Sequence, residues 1–273
     1  YKPSPQVELA GLFNIDFSMP FEKKVENYDN LLTPKLSFRF NPSDMKDYSL
    51  SDNKINISNA FALNRLGLSD TLETGKSITL GLDYKNEKKN DLDQINNYFE
   101  LKLATVFRDE EEKFIPNKST IHKKNSNLFG SITNKFSNNL DLGYNFSLDN
   151  DYSTFEYNDL NATLSINNFI TKFNFIEEHG ETGDTNVMAG SFEYNIDKKN
   201  SFKFQTRRNR KLNLTEYYDL VYEYKNDCLT AGIKYKKSYY ADGNLQPTEN
   251  LLFTITLFPL TTYEYEANDI LDQ

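Results

Sequence analysis

The residues of this chain that could do chemistry are few, and their spacing does not assemble a catalytic centre. His122 and His179 could ligate a metal ion, but neither has a partner at the spacing of a zinc motif. Cys228 is the single cysteine, and no histidine lies near it in sequence to activate its thiol. Phosphate-loop, dinucleotide and serine-hydrolase motifs are absent from the sequence. We therefore predict no catalytic residue, no metal ligand, no cofactor and no enzymatic activity.

Charged runs are the next candidates for a binding role. The acidic run Asp109-Glu110-Glu111-Glu112 is typical of a solvated loop. The basic run Arg207-Arg208-Asn209-Arg210-Lys211 has two interpretations, a solvated turn or a contact with anionic sugar-phosphate groups. The net charge of −9 offers no basic face for a phosphate backbone, so we predict that the chain does not bind nucleic acid.

The elements that must position these residues are strands. Residues 78–84, 140–148 and 229–235 each carry an apolar side chain at every second position, with a small or polar residue between. Because successive side chains of a strand point to opposite faces, this period predicts sheets with one apolar and one polar face. The pattern recurs along almost the whole chain, which predicts an all-β fold.

Composition decides which all-β fold is favoured. Hydrophobic residues make up 38% of the 273 residues, too few for a thick two-sided core, whereas aromatic residues reach 14%. A wall one residue thick, with lipid on one side, fits these values, and we predict an antiparallel transmembrane β-barrel. A soluble β-sandwich or sugar-binding module is the alternative. Glycines inside strands, which suit a crowded lumen, argue against it: Gly81, Gly130, Gly143, Gly190 and Gly232.

The spacing of turns predicts the strand layout. Short links alternate with longer polar loops, as in outer-membrane barrels, and we expect roughly 12–14 strands. Residues 43–59 and 108–124 are predicted to be long loops, and residues 60–66 a strand. We assign residues 1–260 to the barrel and residues 261–273 to an acidic tail. Because the sequence starts at Tyr1, without a signal peptide, we expect a mature or truncated fragment.

A first block of residues resembles a known family. Asn64-Arg65, followed by Asp70 and Glu73-Thr74-Gly75 and then a Gly-x-x-Tyr strand ending at Tyr84, is similar to a block in the C-terminal barrel region of the lipopolysaccharide-assembly protein family, LptD. Upstream, Leu32-Thr33-Pro34 with Asn41-Pro42 also resembles that family.

Two further blocks extend the resemblance over most of residues 30–258. The second runs from Phe107-Arg108 through Ser119 to Gly130, and the third contains Asp227-Cys228, Tyr239-Tyr240-Ala241-Asp242 and Pro247. Departures from the family pattern occur at Thr71, Thr120 and Asn127. Some members carry two adjacent cysteines where this chain has Asp227-Cys228, so the single cysteine allows one disulfide bridge and does not support a two-bridge scheme.

The resemblance implies a lipopolysaccharide translocon in the cell outer membrane, built on the C-terminal half of a large barrel. The family carries an N-terminal periplasmic domain that this sequence lacks, and its barrel holds a lumenal lipoprotein plug, LptE. Lipopolysaccharide arrives through periplasmic bridge proteins and leaves through a lateral gap between the first and last strands. The implied partners are therefore lipopolysaccharide, an LptE-like plug, the bridge proteins and outer-membrane lipids.

The same resemblance implies two sets of site residues. Leu251, Phe253, Ile255 and Leu257 would form the lipid face of the last strand, one side of the lateral gate, with Thr254 and Thr256 facing inward. The alternative for this strand is an ordinary wall strand. Cys228 would form a disulfide with the periplasmic domain, which requires its hairpin to lie on the periplasmic side. A generic outer-membrane porin or substrate channel remains the alternative for the whole chain.

Overall fold

The computed structural model describes residues 10–25, 27–89, 95–137, 139–240 and 246–267. Within these residues the chain forms fifteen strands and one short 3-10 helix at Asn117–Ser119. The first six strands are β1 (Phe13–Ser18), β2 (Phe21–Val25), β3 (Tyr28–Asn41), β4 (Gly75–Lys89), β5 (Ile95–Arg108) and β6 (Leu128–Ser137). The others are β7 (Leu140–Leu148), β8 (Phe155–Ile166), β9 (Phe169–Glu178), β10 (Thr185–Asn195), β11 (Asn200–Asn209), β12 (Leu214–Lys225), β13 (Leu229–Ser238), β14 (Thr248–Leu257) and β15 (Thr261–Glu266).

The strands form an antiparallel sheet in which hydrogen-bonded neighbours follow chain order, with β2 pairing β3 beside β1. This result confirms that the fold is all-β and antiparallel, as predicted. The fifteen strands of the described residues exceed the predicted range by one. Within the described ranges no helix is long and apolar enough to cross a membrane.

Loop lengths alternate between the two ends of the strands. The links after β2, β4, β6, β8, β10, β12 and β14 are short, whereas residues 42–74 and 109–127 form long loops after β3 and β5. The second loop was predicted at nearly this position, whereas the first was predicted to end at residue 59. In outer-membrane barrels the short turns lie on the periplasmic side and the longer loops on the outside. We therefore expect the short turns of this chain on the periplasmic side and its two long loops on the outside.

The chain divides into two compact units. The first takes its described residues from 1–135, 143–158 and 178–184. Its register aligns Ile15, Phe38, Ile78 and Phe107 in one apolar row across β1, β3, β4 and β5. Phe38 and Ile78 remain exposed, which is the arrangement expected of a face that meets lipid.

The second unit takes its described residues from 136–142, 159–177 and 185–273. Here one apolar row crosses β10 to β14 through Phe192, Phe204, Leu220, Tyr235 and Leu251. The opposite face is charged and carries cross-strand ion pairs, including Asp219 with Lys234 at 3.1 Å. The period-two patterns in the sequence therefore become two chemically distinct faces of the sheet.

Residues 60–66 are not the predicted strand, and this prediction is wrong. They form turns: the backbone carbonyl of Asn56 accepts a hydrogen bond from the Ala60 amide at 3.0 Å, and the Asn64 side chain accepts one at its Oδ1 from the Leu68 amide at 3.2 Å. Such local side-chain and turn bonds compete with a strand ladder. Ala60 and Leu66 are buried in a loop core instead of alternating across a sheet.

The end of the chain also departs from expectation. Thr261–Glu266 form β15, a strand in the stretch that we expected to be an acidic tail. In this strand Tyr263 and Tyr265 alternate with Glu264 and Glu266, as a strand pattern requires. The acidic composition of the stretch led to the prediction of a tail instead. The remainder of the predicted tail, residues 268–273, lies outside the described residues.

Candidate functional site

The two long loops form a packed layer in the first unit. Loop residues Ile55, Leu66, Leu68, Ile115 and Ile121 are buried together, in one hydrophobic core with Ala104 and Val106 of β5 and Phe129 of β6. The core residues of β5 lie on the face opposite the exposed apolar row, since Val106 pairs with Thr79 whereas Phe107 pairs with Ile78. The face of β5 opposite the exposed apolar row is therefore covered by residues of the two long loops.

Sheet register supplies the base of a charged cluster beneath these loops. Arg39, Ser77 and Arg108 are direct neighbours in one row across β3, β4 and β5, at the strand ends from which the long loops leave. All three side chains are buried. Two guanidinium groups are thus brought within reach of the same loop, and they require a buried acceptor.

Glu73, in the loop just before β4, is that acceptor, and Arg65 of the same loop contacts it from the other side. Arg65 Nε donates to Glu73 Oε2 at 2.6 Å and its Nη2 to Glu73 Oε1, a two-point contact that matches the guanidinium fork to the carboxylate. Arg65 also donates to Thr79 Oγ1 and Ser77 Oγ, each at 2.9 Å. The Arg65 side chain thereby fastens its loop to β4.

The two sheet arginines complete the cluster. Arg108 Nη1 donates to Glu73 Oε1, and its Nη2 to the Thr74 carbonyl. Arg39 donates to the backbone carbonyls of Ala62 at 2.7 Å and Leu63 at 2.8 Å. Arg39 therefore holds the turn at residues 60–66 directly, through backbone groups that a strand would have used in a ladder.

The pKa of Glu73 shows that the three arginines stabilise the negative charge of its carboxylate. Burial raises this pKa, but the charge of Arg65, its hydrogen bonds, and the charges of Arg108 and Arg39 outweigh burial and lower the pKa from 4.5 to about 2. Glu73 therefore stays ionised at any physiological pH. With three arginines around one glutamate, the four side chains carry a net positive charge, which makes the carboxylate indispensable to them.

A glycine lets the loop layer approach the sheet. A Cβ at Gly81 in β4 would lie 2.5 Å from Cζ of Phe61, whose ring occupies that space. Lys35 of β3 covers the same ring, with its Nζ 5.7 Å from the ring centroid. Any larger residue at position 81 would displace Phe61 and with it the turn that Arg39 holds.

A second buried network closes the other loop. Asn127 Nδ2 donates to Ser147 Oγ of β7 at 3.0 Å and to Glu156 Oε2 of β8 at 2.7 Å. Ser126 Oγ accepts the Val106 amide at 2.9 Å. The segment that returns from the loop into β6 is therefore fixed by hydrogen bonds from three strands. Sequence reasoning noted Asn127 only as a departure from a family pattern.

The sequence analysis did not predict the arginine cluster, although Arg65, Glu73 and Arg108 belong to blocks that resemble a family. Their mutual contacts were not predicted. The sequence alone does not distinguish a buried arginine from a solvated one. The feature that could have indicated a buried cluster is the unusual length of the loops between otherwise regular strands.

The predicted gate residues lie in β14. Leu251, Phe253, Ile255 and Leu257 face Tyr235, Ile233, Ala231 and Leu229 of β13, and the register places Thr254 and Thr256 on the opposite face. However, β14 is not the last strand: β15 pairs with it from Leu252 opposite Glu266 to Leu257 opposite Thr261. The ladder between β14 and β15 spans six residue pairs, against ten between β13 and β14.

The remaining candidate residues do not come together. Cys228 is exposed in the short turn between β12 and β13, where Asn226 Oδ1 accepts its amide at 3.0 Å. Burial lowers the pKa of His122, although Glu181 opposes this effect, and His179 is exposed in another loop. Among the described residues no group of three or more histidine, cysteine or acidic side chains could hold a metal ion.

The basic run lies at the end of β11 and in the following turn, on the long-loop side of the second unit. Arg207 Nε lies 2.8 Å from Glu216 Oε2, whereas Arg208 donates to the neutral Asn213 Oδ1. Arg210 places its guanidinium carbon 5.5 Å from the centroid of the Phe175 ring. The run is therefore an ordered, exposed surface.

Comparison with known families gives a match over more than half of the chain. A family described as "LPS transport system D", LptD, matches residues 4–178. This range covers the loop layer and all four members of the arginine–glutamate cluster. Comparison with curated proteins gives no match.

Among solved structures, mutants of a porin from Rhodopseudomonas blastica are similar to the chain. One triple mutant is 11% identical, with 74% of this chain and 88% of the porin covered and a TM-score of 0.38. Another triple mutant is 12% identical, with 73% and 91% covered and a TM-score of 0.31. These scores are too low to carry an argument about function.

Proposed function

The chain belongs to the LPS transport system D family, LptD, and from this premise we propose that it is a wall of an outer-membrane translocon that releases lipopolysaccharide sideways into the outer leaflet. In this proposal the chain has no catalytic role. Its sheet separates lipid from the barrel interior, and its loops close the interior on the outside. A generic porin or substrate channel is the competing function.

The loop layer is the observation that carries the proposal. A porin needs a water-filled path along the polar face of its strands. In the first unit the loops contribute Ile55, Leu66, Ile115 and Ile121 to a core packed on that side of β5, and Arg65 with Glu73 fixes them there. A covered face fits a protein whose substrate leaves through the wall better than one whose substrate passes along the lumen.

The lateral opening is proposed at the seam between β14 and β15. Parting two strands costs about 1 kcal/mol net for each ladder hydrogen bond, so a short seam opens at the lowest cost. The seam spans six residue pairs, and Ile255 and Leu257 beside it are exposed on the apolar face. Thr254 and Thr256 line its polar side, where the sugar part of the substrate would pass. The alternative, an ordinary wall seam, predicts no effect of locking it.

The proposed partners follow from the two faces of the sheet. Outer-membrane lipids contact the apolar rows, and an LptE-like lipoprotein plug would meet the charged face of the second unit, where Asp219 pairs with Lys234. Periplasmic bridge proteins would deliver lipopolysaccharide from the short-turn side. Cys228 lies in a short turn, which supports a disulfide to the periplasmic part of the protein.

Depletion of the full-length protein in its native envelope tests the proposal. We expect newly made lipopolysaccharide to disappear from the cell surface, scored by its accessibility to an outside modifying enzyme, while an unrelated outer-membrane barrel still inserts normally. Normal surface lipopolysaccharide combined with loss of a nutrient uptake would overturn the translocon and establish the channel.

A further inference from the structure

The basic run of the second unit borders the apolar face of the sheet. Alternation along β11 places Arg208 on the same face as Phe204 and Thr206, and the register of Arg208 opposite Met188 of β10 agrees with this placement. Phe204 stacks on Tyr218 of β12, with ring centroids 6.2 Å apart. The cation therefore follows directly after the aromatic side chains of the apolar face, at its long-loop end.

Arg210 occupies the same border. Its guanidinium lies over Phe175 of β9, and Tyr218 contacts Tyr239 after β13 with centroids 6.1 Å apart. Aromatic side chains followed by arginine are the arrangement found where a membrane-spanning wall leaves the hydrocarbon and enters the headgroup region. The long stem of arginine allows its charge to reach that region while the stem covers apolar surface.

The charge at this border is only partly compensated within the protein. A β-bulge opposite Arg207 and Arg208 leaves Glu216 as the extra residue of β12, and Glu216 pairs with Arg207. Arg208 bonds a neutral amide and Arg210 a neutral ring, and within the described ranges neither contacts a carboxylate. Both side chains are exposed, in a chain whose net charge is −9. This local excess of positive charge complements an anion.

We propose that Arg208 and Arg210 bind the phosphate groups of glycolipid headgroups in the leaflet that surrounds the long-loop end of the wall. Guanidinium groups bind phosphate through two parallel hydrogen bonds, and the neighbouring aromatic rings would lie at the level of the sugar–acyl boundary. The inference rests on the proposed function, because it requires a membrane wall in a leaflet of lipopolysaccharide. It deepens that function by assigning residues that hold the delivered lipid beside the barrel.

Native mass spectrometry of the full-length protein in lipid nanodiscs tests this binding site. The probe is lipid A with both phosphates, compared with the same lipid A after dephosphorylation. Arg208→Gln with Arg210→Gln is compared with Lys198→Gln and Lys199→Gln, two exposed cations in the short turn between β10 and β11. We expect about fivefold weaker retention of the phosphorylated lipid for each arginine removed, and roughly 25-fold for the pair.

The outcomes separate the binding site from transport. Equal retention by wild type and the arginine pair, equal retention of both lipids, or an equal loss in the lysine pair would overturn the binding site. Arg208→Lys with Arg210→Lys should keep part of the preference, because charge persists without the guanidinium fork. Failure of wild-type protein to deliver lipopolysaccharide would overturn the proposed function alone, since retention is measured without transport.

Discussion

Arg65 and Glu73 form a two-point buried ion pair across eight positions of one loop, with Arg65 Nε 2.6 Å from Glu73 Oε2. Arg65 extends the contact to Ser77 and Thr79 of β4, and Glu73 extends it to Arg108 of β5. The pair therefore joins a loop to two strands. Its physical role is to hold a long loop in one conformation beside the sheet.

Replacement of the carboxylate should release this loop. Glu73→Gln leaves Arg39, Arg65 and Arg108 buried without a counter-charge, which typically costs about 3–5 kcal/mol. The open form of the loop should become roughly 150- to 5000-fold more populated. Limited trypsin digestion of the full-length protein in detergent should then cut after Arg65, which is buried and protected in the native protein.

Asp70→Asn is the matched control for that variant. Asp70 is an acid of the same loop, with Lys46 at 3.1 Å, but both side chains are about half exposed. Exposed ion pairs contribute little to stability, so cleavage after Arg65 should stay at the wild-type level. Equal protection of Glu73→Gln and wild type would show that the loop does not depend on the cluster.

Acid should weaken the same contact in a defined pH window. The pKa of Glu73 is about 2 in the folded protein against an ordinary value of 4.5, so the unfolded chain binds the proton first. The stabilisation is complete above about pH 4.5, is lost as the pH falls from there to about 2, and amounts to roughly 3 kcal/mol. Urea midpoints at pH 7, 5 and 3 should be similar at pH 7 and 5 and lower at pH 3. Glu73→Gln should show a smaller decline than wild type, and parallel declines would contradict the assignment.

Gly81→Val should displace Phe61 and loosen the turn at residues 60–66. The added side chain would meet the Phe61 ring 2.5 Å from its Cβ and the Leu103 carbonyl at 3.2 Å. Overpacking of this kind costs about 1–3 kcal/mol, which a lower urea midpoint would report. Gly190→Val is the control, since a Cβ there meets nothing within 4 Å. Phe61→Ala combined with Gly81→Val should recover part of the loss, and a double variant worse than both single variants would disprove the steric explanation.

Locking the proposed seam should stop delivery of lipopolysaccharide. Thr256 Oγ1 of β14 lies 3.1 Å from Thr262 Oγ1 of β15, so Thr256→Cys with Thr262→Cys should form a disulfide across the seam. Surface lipopolysaccharide should fall under oxidising conditions and return after reduction. Thr256→Cys with Thr230→Cys, which face each other across β13 and β14, is the control and should leave delivery unchanged. Normal delivery with the first lock fully formed would exclude this seam as the gate.

Strand positions and the chemistry of the two strand faces could be predicted from the sequence. The period-two segments 78–84, 140–148 and 229–235 lie within the strands Gly75–Lys89, Leu140–Leu148 and Leu229–Ser238, because a period of two is a local property that does not depend on the pairing partner. The polar face of β3, with Arg39, could be predicted for the same reason. Residues 60–66 were wrongly predicted as a strand, because a hydrogen-bonded turn and a short strand can contain the same apolar residues.

The contacts made by the polar face depend on the tertiary structure. Arg39, Ser77 and Arg108 are neighbours because the registers of β3, β4 and β5 align them, although Arg39 and Arg108 lie 69 positions apart in sequence. Glu73 then binds two arginines that no local period relates to it. Such contacts depend on the closure of long loops, whose conformation is set by what they pack against and not by their own residue pattern. The seam between β14 and β15 likewise exists because these two strands pair, which the residue pattern of either strand alone does not indicate.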